Sequence, residues 1–193
     1  DRGFGCYFDS LAAEALTRLG RWTEVAGVLA RQPLAETLPV GLLRLARAKA
    51  MLAARRGDSD QALDQLAAAH MLPIDGWHQT VRDATAADVH LALGNWSEAA
   101  KAADQGWAAT CTTSALWAAR FAMFGVAAEV EQALDQRARR EPVDVDATIT
   151  RLGQRIAGAR SLADGVPGGP QRDSAAHLAH AAASLTRLTV ADA

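Results

Sequence analysis

Three segments of this chain repeat at one fixed spacing. They are Gly20-Arg21-Trp22-Thr23-Glu24-Val25-Ala26, Gly57-Asp58-Ser59-Asp60-Gln61-Ala62-Leu63 and Gly94-Asn95-Trp96-Ser97-Glu98-Ala99-Ala100, with glycines 37 residues apart, twice. An alanine stands seven residues before each glycine (Ala13, Ala50, Ala87), and Ala62 and Ala99 share a second offset. A period of this length means that one supersecondary unit is stacked on copies of itself, which restricts the chain to repeat architectures.

The unit is readable from its parts. An apolar helix leads into each glycine: Leu11 to Leu19, Leu42 to Ala54, and Val81 to Leu93. Glycine makes the tight turn at little conformational cost. Polar and acidic residues then open a second helix: Thr23-Glu24, Asp58 with Asp60, and Asn95 with Ser97-Glu98. Such residues satisfy free amides and suit the positive end of the helix dipole. Each unit is therefore an αα-hairpin, with the recurrent alanines where its helices cross closely.

Composition agrees. Of 193 residues half are hydrophobic, 5% are aromatic and alanine is roughly a quarter. Alanine is the best helix former, and Val and Ile are too thin for a large sheet. The expected fold class is all-α, with about nine helices. A net charge of −2 argues against a dedicated nucleic-acid binder. No apolar run approaches a membrane span, and no leader opens the chain, so a cytoplasmic protein without membrane contact is expected. Cys6 and Cys111 are too few and too far apart for a disulfide framework. The ends, Asp1 without methionine and Ala193, read as cuts in a longer protein.

Residues 1–111 hold the three hairpins, and the period then fades. Within 112–164, Ser114 to Arg139 and Asp144 to Leu162 form a long helical hairpin, with the cations of Arg137-Ala138-Arg139-Arg140 and Pro142 closing its first helix. Residues 165–170 are a glycine- and proline-rich loop. Residues 171–193 give one more helix, from about Asp173 to Leu188, which reads as the first half of a further hairpin.

Little here suggests catalysis. His177 and His180 share a helix face but lack a third ligand, so no metal is assigned. Cys111 has no evident base, and residues 165–170 lack the lysine of a phosphate loop. The chain is expected to be no enzyme and to hold no cofactor. Trp22 and Trp96 follow the turn glycines and are expected to pack there; Trp77, Trp107 and Trp117 fit packing or a groove.

The hairpins resemble the tetratricopeptide repeat. Glycine and small residues stand at its offsets, Trp22 and Trp96 take its bulky position after the turn, and Pro33 and Pro73 fall near the ends of second helices. The resemblance implies a right-handed superhelix whose first helices line a concave face. Arg44, Arg47, Met51 and Arg55 share one face of such a helix. The matching offsets give Tyr7, Ser10, Glu14 and Arg18 in the first repeat, and Val81, Asp88 and Leu91 in the third. That row is either a groove with arginine forks for a carboxylate or phosphate, or a solvated helix side.

Longer words are similar to the repeat region of large actinobacterial LuxR-type regulators. They include Phe4-Gly5-Cys6-Tyr7, Arg18-Leu19-Gly20-Arg21-Trp22, Leu42-Leu43-Arg44-Leu45-Ala46-Arg47-Ala48, Leu91-Ala92-Leu93-Gly94-Asn95-Trp96 and Ala175-Ala176-His177-Leu178-Ala179. Those regulators resemble the maltose regulator of enteric bacteria in layout: a signal-transduction ATPase, a tetratricopeptide-like sensor and a helix-turn-helix. The resemblance implies a sensor that takes a protein or small-molecule effector, contacts neighbouring domains of its own chain and controls self-association. ATP and DNA would be bound by domains outside these residues. The competing expectation is a generic tetratricopeptide scaffold or chaperone-like module unrelated to transcription.

Overall fold

The three recurrent glycines share one backbone conformation. In the computed structural model, which describes residues 2–30, 39–72, 76–165 and 171–190 (without the side chains of 2–7, 39, 77 and 171), Gly20, Gly57 and Gly94 have φ of 74°, 77° and 74°. This left-handed region suits glycine because a Cβ there meets the following carbonyl. At the first turn the Gly20 amide donates to the Thr17 carbonyl at 3.1 Å and the Arg21 amide to the Leu16 carbonyl at 2.9 Å. At the second, the Gly57 and Asp58 amides donate to the Ala54 and Ala53 carbonyls at 3.1 and 3.0 Å. These bonds satisfy carbonyls that a helix end would otherwise leave open.

Among the described residues there are nine helices and no strand: α1 (Arg2–Arg18), α2 (Trp22–Ala30), α3 (Pro39–Arg55), α4 (Ser59–His70), α5 (Gly76–Ala92), α6 (Trp96–Thr110), α7 (Ala115–Ala138), α8 (Val145–Asp164) and α9 (Gln171–Val190). The fold is all-α. None of these helices is long and apolar enough to cross a membrane. Asp58 caps α4 by accepting from the Gln61 amide at 3.1 Å, and Asp144 caps α8 by accepting from the Ala147 amide at 2.9 Å. Asn95 stands at the N-cap of α6 without a side-chain capping bond. Pro33 and Pro73, and all of the 165–170 loop except Gly165, lie outside the described residues.

The chain divides into two compact units, residues 1–93 and 94–193, and the division falls inside the third 37-residue span. In the first unit α1 packs on α2 and α3, and α3 packs on α4 and α5; α2 touches α3 and α4 touches α5. α1 and α3 thus each lie on the next first helix and on their own second helix. Ala13, Ala50 and Ala87 are fully buried, as are Val25, Ala62 and Ala99 at the second offset. At these positions a larger side chain would push the helices apart.

In the second unit α7 packs on α6, α8 and α9, and α8 lies on α9. Its core joins Ala119, Ala122, Val126 and Val130 of α7 to Leu152 and Ile156 of α8 and to Leu178, Ala181 and Leu188 of α9. Gly106 lets α6 approach α7, since a Cβ there would lie 2.0 Å from the Phe121 ring. The turn after α7 repeats the earlier three with a different residue. Arg140 has φ 60°, its amide donates to the Arg137 carbonyl at 2.9 Å, and the Glu141 amide donates to the Gln136 carbonyl at 2.9 Å. Ala133, seven residues before Arg140, is 4% exposed. The period is therefore stretched rather than lost after residue 111. α7 has 24 residues against 17 for each of α1, α3 and α5, and arginine replaces the turn glycine.

Candidate functional site

The row read as a groove lies where α1, α3 and α5 meet. Arg47 is only 3% exposed. One of its terminal nitrogens lies 3.1 Å from Glu14 Oε1 of α1, the other is 3.4 Å from Glu14 Oε2, and its Nε donates to Thr85 Oγ1 of α5 at 2.5 Å. About two turns further along α3, Arg55 pairs with Asp88 of α5 at 2.7 Å. The two ion pairs tie three consecutive first helices side by side. Burial pulls the Arg47 guanidinium below its ordinary value, Glu14 and Asp88 oppose that shift, and Arg44 and Arg18 add to it. Thr85 also donates to the Val81 carbonyl at 2.9 Å, so its hydroxyl serves both the helix and the arginine.

The residues of the row fare differently, with Val81 buried and Leu91 half-buried. Ser10, Arg47 and Met51 are buried, with Met51 in a core of Ala50, Ala53, Ala54, Leu66 and Val89, and Asp88 is 9% exposed. Glu14 is half-buried against Arg47, Arg44 is half-buried, and Arg18 and Arg55 are exposed. Tyr7 falls in α1, and its side chain lies outside the described residues. The middle of the row is thus closed by the neighbouring first helices, and its ends reach solvent. The reason is that α3 is covered by α1, α2, α4 and α5 at once, so the face that helical spacing marks as polar becomes a seam.

A second polar cluster, in the other unit, has no counterpart in the sequence reading. The Arg155 guanidinium of α8 donates to Asp104 at 2.6 Å and to the Ala103 carbonyl at 3.3 Å, lies 3.9 Å from Glu129, and stands over the Trp107 ring at 5.4 Å. Arg151 pairs with Glu129. Gly125 of α7 leaves the space that the guanidinium occupies, since a Cβ there would lie 2.6 Å from it. Together with Leu152 and Gln154 these residues line a cleft of about 470 Å³. Arg155 is 51 and 52 positions from Asp104 and Ala103 and 26 from Glu129, and these residues share no motif; Trp107, open to a groove role, was the one available signal.

The other aromatic residues resolve similarly. Trp22 and Trp96 start α2 and α6, but Trp22 is 37% exposed and Trp96 is half-buried with its indole laid toward Gly94, so neither is a core residue. Trp117 is buried, 6.0 Å from the Phe121 ring, with Arg120 over its face at 5.2 Å. The Trp77 side chain and Cys6 lie outside the described side chains. Cys111 is a half-buried free thiol near the Ala108 carbonyl. His177 is half-buried and His180 exposed, and no group of three His, Cys, Asp or Glu suited to a metal occurs among the described residues.

No protein-family model, no curated protein and no solved structure matches this chain.

Proposed function

We propose that this chain is a non-catalytic, tetratricopeptide-like binding module. On this reading it is the effector-sensing arm of a cytoplasmic LuxR-type, ATP-dependent regulator. It controls self-association and hence transcription, while an ATPase domain binds ATP and a helix-turn-helix domain binds DNA. One observation carries the reading: the αα-hairpin recurs in α1–α2 and α3–α4, and Gly20, Gly57 and Gly94 share a left-handed φ with a buried alanine seven residues before each. A stack of that kind presents extended surface for binding rather than an enclosed reaction centre. Its first helices would line the concave face of a right-handed superhelix. Arg18, Arg44 and Arg55 would form the rim that takes a carboxylate- or phosphate-bearing effector, with Arg47 held beneath them.

The scaffold reading has its own support. Arg47 and Arg55 already hold carboxylates of the chain itself, which fits a row that builds the module while partners bind elsewhere.

Two experiments decide. Calorimetric titration with a glutamate-rich peptide and with inorganic phosphate should show saturable binding that the double substitution Arg18→Ala, Arg44→Ala abolishes. Unchanged binding by that variant removes the groove. The reading frame encoding these residues should carry a phosphate-binding loop upstream and a helix-turn-helix downstream; a frame with neither leaves the scaffold reading.

A further inference from the structure

Helices α6 and α8 both pack on α7, and the cleft of about 470 Å³ is the trough between them, wholly within the second unit. Asp104 and Trp107 stand on its α6 wall, Glu129 of α7 on its floor, and Arg151, Leu152 and Arg155 on its α8 wall. One end of the trough is fixed. Arg155 crosses it as a strut to Asp104 and the Ala103 carbonyl, in the room that Gly125 leaves. One turn further along each wall, Trp107 reaches α8 beside Gly158, where a Cβ would stand 3.9 Å from the indole.

The other end holds an ion pair with unequal members. The Glu129 side chain is 14% exposed, whereas that of its partner Arg151 is 59% exposed. The carboxylate is therefore fixed in the cleft, and the guanidinium sits on a long stem that can swing into water. A largely buried carboxylate left alone is costly, so Arg151 gives way only when another cation takes its place. Once displaced, its guanidinium can grip a carboxylate with two parallel hydrogen bonds. Such a pair opens around a molecule that carries both charges close together.

The remaining features fit the same molecule. Two arginines, Arg151 and Arg155, face two carboxylates, Asp104 and Glu129, so the cleft is neutral and a neutral zwitterion leaves it so. A lone anion or cation would add an unbalanced charge beside a group of its own sign. Trp107 and Leu152 line the same space and suit an apolar group. The volume is in the range of small-molecule sites.

We propose that this cleft binds an α-amino acid with an apolar side chain. Its ammonium group replaces Arg151 on Glu129, its carboxylate takes the released Arg151, and its side chain lies against Trp107 and Leu152. The site is separate from the arginine row and stands whether or not that row takes an effector.

Calorimetric titration of the chain with L-leucine, L-methionine and L-phenylalanine, each to about 10 mM, tests this. At least one should bind saturably. The amine and the carboxylic acid that each lack one of its two charges should bind at least about tenfold more weakly. Arg151→Gln, at an exposed position, should weaken the amino acid about tenfold yet leave the amine as tight or tighter, because Glu129 is then open. Glu129→Gln should abolish binding of both; if it loses its circular dichroism spectrum, Arg151→Gln decides alone. The double substitution Arg18→Ala, Arg44→Ala should change nothing. The proposal is overturned if none of the three amino acids binds saturably, or if Arg151→Gln leaves their binding unaltered. An amine that binds as tightly as its amino acid would make this a cation site, which also overturns it.

Discussion

The two units bring helices together with the same topology and opposite chemistry. Between α1, α3 and α5 the contact includes Glu14, Arg47, Thr85, Arg55 and Asp88, two ion pairs and a hydroxyl. Between α7 and α9 it is Val126, Val130, Leu178, Ala181 and Leu188, with Arg187 and Glu131 paired at the margin. An apolar seam gains by removing surface from water, is indifferent to partner and tolerates sliding. A buried ion pair gains little net stability, since desolvation offsets attraction, but it penalises any arrangement that separates the charges. The polar seam therefore fixes the register of three nearly interchangeable alanine-rich helices, and the apolar seam supplies stability where α7 already has distinctive Phe and Trp contacts.

The largest expected effect breaks the apolar side. Leu188→Ala should destabilise the second unit by about 3 kcal/mol, the usual cost of a cavity at a fully buried leucine. Urea melts followed by Trp107 and Trp117 fluorescence would read it. A loss below about 1 kcal/mol would mean that α9 is not held by this core.

A smaller pair of effects contrasts the turns. Gly57→Ala should cost about 1 kcal/mol, because a side chain enters a left-handed position, and Arg140→Gly should stabilise by about the same amount. Thermal melts of both variants check the opposite signs. Equal signs would deny that Arg140 occupies the turn-glycine place.

The smallest effect concerns pH and α5. Asp83 is buried, and burial raises its carboxyl above the ordinary value although Gln79, His70 and Arg82 oppose the shift. A carboxyl that binds its proton more tightly in the folded chain makes stability fall as pH rises from its unfolded value through its folded one. Asp83→Asn can still accept the Gln79 bond and should remove that slope, giving a flatter stability profile between acid and neutral pH. A profile that remains as steep assigns the slope to another group.

Much of the fold was legible because turns are local. A glycine at positive φ, a small residue at the crossing and an acid at the cap each act within a few residues of sequence. The end of α7 was legible from its cations and Pro142, but its kinship with the glycine turns was hidden, because Arg140 carries the left-handed φ and Ala133 at the familiar offset is no signal in an alanine-rich stretch. Helical spacing placed Arg44, Arg47, Met51 and Arg55 on one face, but it cannot say what that face meets. Glu14 and Thr85, which close the row over Arg47, are 33 and 38 residues away. The Arg155 cluster is equally non-local, and its room comes from Gly125, a helix-interior glycine with no turn to mark it.

The row on α1, α3 and α5 is an internal seam before it is a binding surface. A double-mutant cycle on Glu14→Gln and Arg47→Met, read by urea denaturation at low and high salt, tests it most directly. The seam requires each single change to leave a buried group unpaired, with a coupling energy of about 2 kcal/mol that salt barely alters. A coupling below about 0.5 kcal/mol that salt screens away is what an exposed pair would give, and it would contradict the account.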